Sequence, residues 1–473
     1  MKKIILNSLI VTLMGLTQQA MAMTALDDEA LSAVDAQALL NLENAYDSSQ
    51  GINFHKLSIE ALMELNINIK TLQLGCGGTN NSIGNTNGCD IDISNLALSG
   101  LNTSLDDKGN PVFSGDRANT SASVSNPFVE FAIKNGGSAS TREVVGFRLG
   151  ADKIVGLLTM GTDNVENPND GLKSFSGYMK MAQTTGESVT KAGTFGVAND
   201  EKISGNLKAL GQTRTFTSKP GADGHTGITV PSMRVDFTMP ETVVTGQRLK
   251  SATVSNIRST IASIPLAKAL TGSTLPSDVI GTPDFSNDKL YVEFPALISF
   301  LGINLGDHSY FQMGAGSSLD NLNMDITFVQ ALNMIHNIPL NGTGGYLSLQ
   351  SQNVHWQGAD AADIAKPGWW LSFKDPIQLG VLKTTDEVDI SFVLPQVATA
   401  ISEFLLRPEN LIDVSVGEAL GSLANVAVVR KLNIDVGKFT NYATGTPATL
   451  TLMDKLLQNQ NVTSNCFGGH KFC

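Results

Sequence analysis

At 473 residues with 42% hydrophobic side chains, the chain has room for two to four average domains or one large one, and wholesale disorder is excluded. Only 16% of residues are charged, 45 are glycine, and Asn, Ser and Thr crowd the turns, a balance that suits a turn-rich β protein better than a helical cytosolic enzyme. The net charge of −12, with no basic cluster to offset it, argues against nucleic acid as a partner.

Residues 1–22 read as a Sec-type signal peptide. Lys2 and Lys3 form the positive start, residues 4–16 a short apolar stretch, and Ala20-Met21-Ala22 an A-x-A cleavage site. Cleavage before Met23 leaves 30 basic residues of the original 32 against 44 acidic, a charge of −14. No later segment is long enough for a spanning helix. The densest, 294–303, is about half the length needed and contains Pro295 and Gly302. The chain is therefore expected to be exported and not integral to a membrane. Residues 23–48 read as a helical lead-in. Asp27, Asp28 and Glu29 suit a helix N-terminus, and Leu31, Val34, Ala38 and Leu42 follow at helical spacing.

Residues 49–189 read as a β-rich domain. From Leu57 to Ile69 every odd position is apolar and most even ones are polar, which predicts one strand over residues 57–69. Further strands are expected at 90–98, 128–134, 143–150, 153–160 and 175–181, separated by turn segments such as Asn135-Gly136-Gly137. Residues 190–232, rich in Thr, Gly, Ser and Lys with Pro220 and Pro231, read as a loop or linker. Residues 233–465 read as a second β-rich domain, with strands at 234–237, 290–294, 322–329, 346–349, 387–394 and 432–436. Short amphipathic helices are expected along Val254, Ile257, Ile261 and Ile264, along Val397, Ile401, Phe404 and Leu405, and along Leu420, Leu423 and Ala427. Core packing is the preferred role for each stripe. The fold class expected is mainly β: long antiparallel strands in extended sheets, with a few short amphipathic helices in the C-terminal half. An apolar-Asp-apolar pattern recurs at Asp92, Asp236, Asp325, Asp389 and Asp435. Calcium ligation is one reading of it; Asp on the wet face of a half-buried strand is the stronger.

Four cysteines fall into two local pairs, Cys76 with Cys89 and Cys466 with Cys473, the second bracketing the tail 466–473. Neither pair has the spacing of a zinc site, and an oxidising compartment favours small disulfide staples. Four cysteines allow three connectivities. The six histidines lie outside metal-ligand spacings, and G-x-S-x-G, P-loop and G-x-G-x-x-G patterns are missing, so no catalytic residue, metal or cofactor is expected. Trp356, Trp369 and Trp370 offer an aromatic contact for a sugar or partner, or core anchors. The core reading is preferred, with one of the adjacent pair facing the other way.

The run Ala25-Leu26-Asp27-Asp28-Glu29-Ala30-Leu31-Ser32-Ala33-Val34, then Gln37, resembles the A-L-D-D-x-x-L-S-x-V-x-G-Q start of many exported Gram-negative surface proteins, with Ala36 where that motif has Gly. Three further stretches, residues 89–93, residues 126–135 with 138–143, and Pro367-Gly368-Trp369-Trp370-Leu371-Ser372-Phe373, resemble pilus-assembly proteins of the Fil cluster, the FilE and FilF type. The resemblance brings no catalytic or binding residues. It implies an exported structural or assembly protein of a Gram-negative cell surface, with protein subunits of a surface filament or its assembly machinery as partners. Two other readings stand beside it: a periplasmic or surface carrier of an apolar, lipid-like ligand, and a glycan-binding adhesin. An enzyme is not expected. The compartment stays open among periplasm, outer-membrane surface and exterior.

Overall fold

The computed structural model describes residues 40–85, 88–296, 298–300, 303–436 and 448–468, and most of them are extended or in turns. Eight strands come first: β1 (Leu40–Asp47), β2 (Ile52–Ile59), β3 (Leu62–Leu65), β4 (Ile67–Leu74), β5 (Ile91–Ser99), β6 (Ala122–Lys134), β7 (Glu143–Thr159) and β8 (Gly171–Met181). Three later strands, Thr242–Leu249, Asn337–Gln350 and Gly368–Phe373, join them in one sheet. Its order is β1, β2, β6, β7, 337–350, 368–373, β8, β5, β4. Pairing is antiparallel except where 368–373 meets β8. β5 also pairs β7, with Ala97 opposite Thr159 and Ser99 opposite Leu157, so β7, 337–350, 368–373, β8 and β5 close into a ring. β1, β2 and β6 extend beyond that ring as a wing.

The fold is mainly β, with long strands and short helices as expected, but several elements differ. Residues 57–69 are broken into the end of β2, all of β3 and the start of β4. β2 and β3 both pair β6, and the break lies opposite Asn126, whose φ of 51° bends that strand. Asn66 then turns the chain away, its amide donating to the carbonyls of Ala118 and Thr120. Residues 143–159 form one strand rather than two.

The expected linker 190–232 instead carries strands Gly193–Phe195, Ser204–Ala209, Gln212–Ser218 and Ile228–Val230. Leu210 and Gly211, both at positive φ, make the two-residue hairpin turn inside it. One apolar core takes Ile91 and Phe175 from the first sheet, Phe195 and Phe216 from this segment, and Ile257 and Ile326 from beyond it. The segment is therefore part of the core and not a joint between two cores.

The stripe at 254–264 is a strand, Ser251–Pro265, and not a helix. A bulge between Val254 and Ile257 creates a step of three. Ser259, buried and donating to the Asp236 carbonyl at 2.8 Å, fills the period-two slot between Ile257 and Ile261. Residues 387–394 form no strand. Pro395, at the first turn, starts α1 (Leu394–Leu405), which buries Val397, Ile401 and Leu405. α2 (Val416–Ser422) begins with a capping box between Ser415 and Glu418 and buries Ala419, whereas Leu420 and Leu423 are exposed. Of the expected N-terminal lead-in, residues 23–39 lie outside the described residues, and 40–47 are strand rather than helix. They pair with β2 over their whole length, and backbone pairing with a neighbour outweighs a weak helical stripe.

The last described segment returns to the first sheet through amides. Gln460 accepts from the backbone N–H groups of His336 (2.8 Å) and Asn337 (2.9 Å), and Asn337 donates to the carbonyls of Asn459 and Asn461. Arg117, fully buried with no ion-pair partner among the described residues, donates to Ser99, Thr159 and the carbonyls of Leu157 and Thr463. Burial lowers its pKa to about 10. His336, also fully buried, has Nδ1 2.8 Å from the Met160 carbonyl, and burial holds its pKa below the usual 6.5. The unfolded chain therefore takes up a proton that the folded chain refuses. This group costs nothing above pH 6.5 or so and destabilises as pH falls below it, by at most about 1.4 kcal/mol per pH unit. Urea midpoints between pH 7.5 and 5 are expected to fall more steeply for the wild type than for His336→Asn.

Candidate docking face

Because side chains alternate along a strand, pairing register assigns the two faces of the wing. One cross-strand row runs Glu43, Lys56, Glu130, Arg148, Ser348, Trp370, from β1 to 368–373. From β2 inward this face is covered, while Glu43 on β1 is exposed. Val354, Trp356 and Ala365, from the segment that follows 337–350, pack with Phe54, Phe128, Tyr346 and Trp370. Arg148 lies beneath them, its guanidinium 4.9–5.2 Å from the ring centres of Phe128, Tyr346 and Trp356. It pairs with Glu130 and donates to the Gln357 carbonyl at 2.7 Å. Burial raises the pKa of Glu130 while Arg148 pulls it down. Asp363, 1% exposed, accepts from Trp370 Nε1 (2.9 Å), Ser372 Oγ (2.5 Å) and the Tyr346 hydroxyl. That environment raises the pKa of Tyr346, burial first and the carboxylate second.

The opposite face is open. One row reads Asn44, His55, Phe131, Phe147, Leu349, Trp369, and the next Leu42, Leu57, Val129, Leu149, Leu347, Leu371. Leu42 is 75% exposed, Leu149 46%, Phe131 44% and Leu57 41%. Phe131 and Phe147 have ring centres 6.4 Å apart, and Phe147 meets Trp369 edge-on at 6.2 Å. Leu347, Trp369 and Leu371 also pack against the main core, so apolar surface continues from the interior to the rim at β1. Single exposed leucines are ordinary in proteins, but Leu42, Leu57, Phe131, Leu149 and Leu349, exposed on five neighbouring strands, form a patch of the kind that marks an interaction site.

The Cys76–Cys89 disulfide sits at the inner end of this face. Asp90 fixes it there: it pairs with Arg248 at 3.0 Å, both nearly fully buried, and accepts from Asn80 and from the Trp369 backbone N–H. Arg248 in turn donates to the carbonyls of Gly75 and Gly77. Cys466 is buried and disulfide-bonded; Cys473 lies outside the described residues.

Of the three tryptophans, Trp356 and Trp370 are core side chains at 0% and 1% exposure, and neither is available as a surface contact. Trp369 is half-buried and belongs to the open face. Phe131, Phe147 and Leu149 were not among the expected site residues. The signal for Phe131 was the loss of alternation in 128–133, apolar on both faces apart from Glu130. The recurring aspartates are not brought together. Asp92 lies in β5, Asp236 in Arg234–Met239, Asp325 in Ser318–Ala331 and Asp435 in Asn433–Asp435, while Asp389 precedes α1. Among the described residues no group of three His, Cys, Asp or Glu side chains could hold a metal, and no helix is long and apolar enough to cross a membrane.

Two apolar spaces in the core, one beside Phe195 and Val397, the other beside Met179 and Phe328, hold about 30 and 40 Å³. A ligand pocket needs roughly 300 Å³ or more; a hollow of about 480 Å³ beside Cys89 reaches that size, but Asp92, Lys173, Ser174, Arg248, Lys250 and Asn333 line it and do not suit an apolar ligand. No protein-family model, curated protein or solved structure matches the chain.

Proposed function

We propose that the chain is an exported structural or assembly protein of a Gram-negative cell surface, whose open sheet face docks a protein subunit of a surface filament or its assembly machinery. The observation that carries the reading is the exposed apolar patch of Leu42, Leu57, Phe131, Leu149 and Leu349 on the face opposite the covered one. The signal-peptide pattern, the disulfide and the likeness to Fil-cluster proteins support the location. No catalytic role is part of this proposal. The small size of the apolar core spaces, the polar lining of the larger hollow beside Cys89 and the burial of two tryptophans favour protein docking over a lipid carrier or a Trp-based adhesin.

Phe131→Asp with Leu149→Asp places two charges on the face while leaving the covered side intact. Loss of one aromatic anchor typically costs about 2 kcal/mol of binding, roughly thirtyfold. Cells carrying the double variant are expected to export it at the normal level and to show the filament and adhesion loss of a gene deletion. Unchanged filaments and adhesion in the deletion strain would refute the proposal.

A further inference from the structure

We infer that β1 is a self-pairing edge, through which two copies of the chain join antiparallel about a twofold axis and extend the sheet across the pair. Among the described residues β1 pairs with β2 alone, and none of them meets the backbone donors and acceptors of its outer edge. Edges are usually blunted by charged side chains, above all Lys, by Pro or by a bulge. The β1 sequence LNLENAYD has neither Lys nor Pro, its only charges are Glu43 and Asp47, and its register with β2 runs without a shift. The opposite edge of the same sheet, β4, carries Lys70.

Within the described residues 40–47, one register suits a second copy best. Residues directly opposite in such a pair share a face, so the axis must pass through a residue. Centring on Glu43 sets two carboxylates against each other, and centring on Ala45 sets Glu43 against Asp47 of the partner subunit, both repulsive. Within the described residues, centring on Leu42 pairs 40–44 and leaves 45–47 without an opposite residue. Centring on Asn44 engages 41–47, places Leu42 against Tyr46 of the partner subunit and Glu43 against Ala45 of the partner subunit, and sets the two Asn44 amides side by side. Leu42 and Tyr46 are 75% and 64% exposed in the single chain. Pairing would make the two open faces one continuous surface. The inference concerns the edge and stands apart from what docks on the face.

The test uses the mature full chain with its disulfides intact; among the described residues no cysteine is free. Light scattering after size exclusion is expected to show a concentration-dependent doubling of mass, and Leu42→Lys to weaken it by roughly tenfold or more without lowering the melting temperature. Asn44→Cys is expected to form a covalent dimer on mild oxidation, and Glu43→Cys to remain uncrosslinked. A monomer at every concentration overturns the inference, as does crosslinking through Glu43→Cys but not Asn44→Cys. Phe131→Asp should dimerise like the wild type. A dimer lost in that variant and kept in Leu42→Lys would move self-association to the face and overturn it too.

Discussion

Replacing Arg148 with alanine is expected to destabilise the fold by about 3–5 kcal/mol, the usual cost of leaving half of a buried ion pair behind. Glu130 has 2% of its side chain exposed and loses its partner. Three rings lose the cation they surround, and the Gln357 carbonyl loses its donor. Lys56, one strand over, is already engaged with Asp152 at 3.4 Å and offers only partial relief. The variant should carry a pH signature. Burial already raises the pKa of Glu130, and removing the guanidinium raises it further. The folded variant then binds a proton that the unfolded chain does not, so stability recovers as pH falls toward the raised value. Urea unfolding at pH 7 and 5 should show a smaller deficit at pH 5. Arg148→Met combined with Glu130→Leu removes both charges and should regain most of the loss. A single variant as stable as the wild type at pH 7 would show that the pair is not buried as described.

Asp363→Ala carries the second large effect. One carboxylate satisfies the Tyr346 hydroxyl, the Trp370 indole and the Ser372 hydroxyl, all buried or nearly so. Each orphaned donor costs on the order of 1–3 kcal/mol, and because the three share one acceptor the losses do not simply add. A total of about 3–5 kcal/mol is expected. Asp363→Asn keeps an acceptor oxygen but brings an N–H among donors, and should lose roughly half as much. Near-ultraviolet circular dichroism should report it, since Trp370 and Trp356 lie in this cluster. Proteolysis should report it as well, with cleavage appearing in 351–367 before global unfolding. Unchanged spectra and cleavage in Asp363→Ala would show that the carboxylate does not hold this layer down.

The strand-rich class was legible because alternation and turn chemistry are local. β5, β6 and β8 fall close to where hydrophobic periodicity places them. What escaped was set by neighbours distant in sequence. Ser259 reads as polar yet is buried, so the strand through Ile257 and Ile261 imitates a helix. The hairpin at Leu210-Gly211 hides in a Thr-rich stretch because threonine suits both a wet strand and a loop. The break after Ile59 depends on Asn126, which no window around residue 60 contains. The docking face was half legible. Leu57 belongs to a clean alternation, but the rows exist only once β2, β6, β7 and 337–350 are in register. The tryptophans drew attention by composition, and two of the three serve the covered side.

The ring sets a timetable for the newborn polypeptide. β7 and β8 leave the ribosome early, yet the strands between them, Asn337–Gln350 and Gly368–Phe373, are made only after most of the chain. Until those arrive, each early strand displays a vacant hydrogen-bonding margin, and loop-closure entropy delays the reward for filling it. Maturation should therefore be slow, prone to clumping midway and dependent on a holdase that shields nascent margins. Once the late pair is threaded in, the early strands are locked from both flanks.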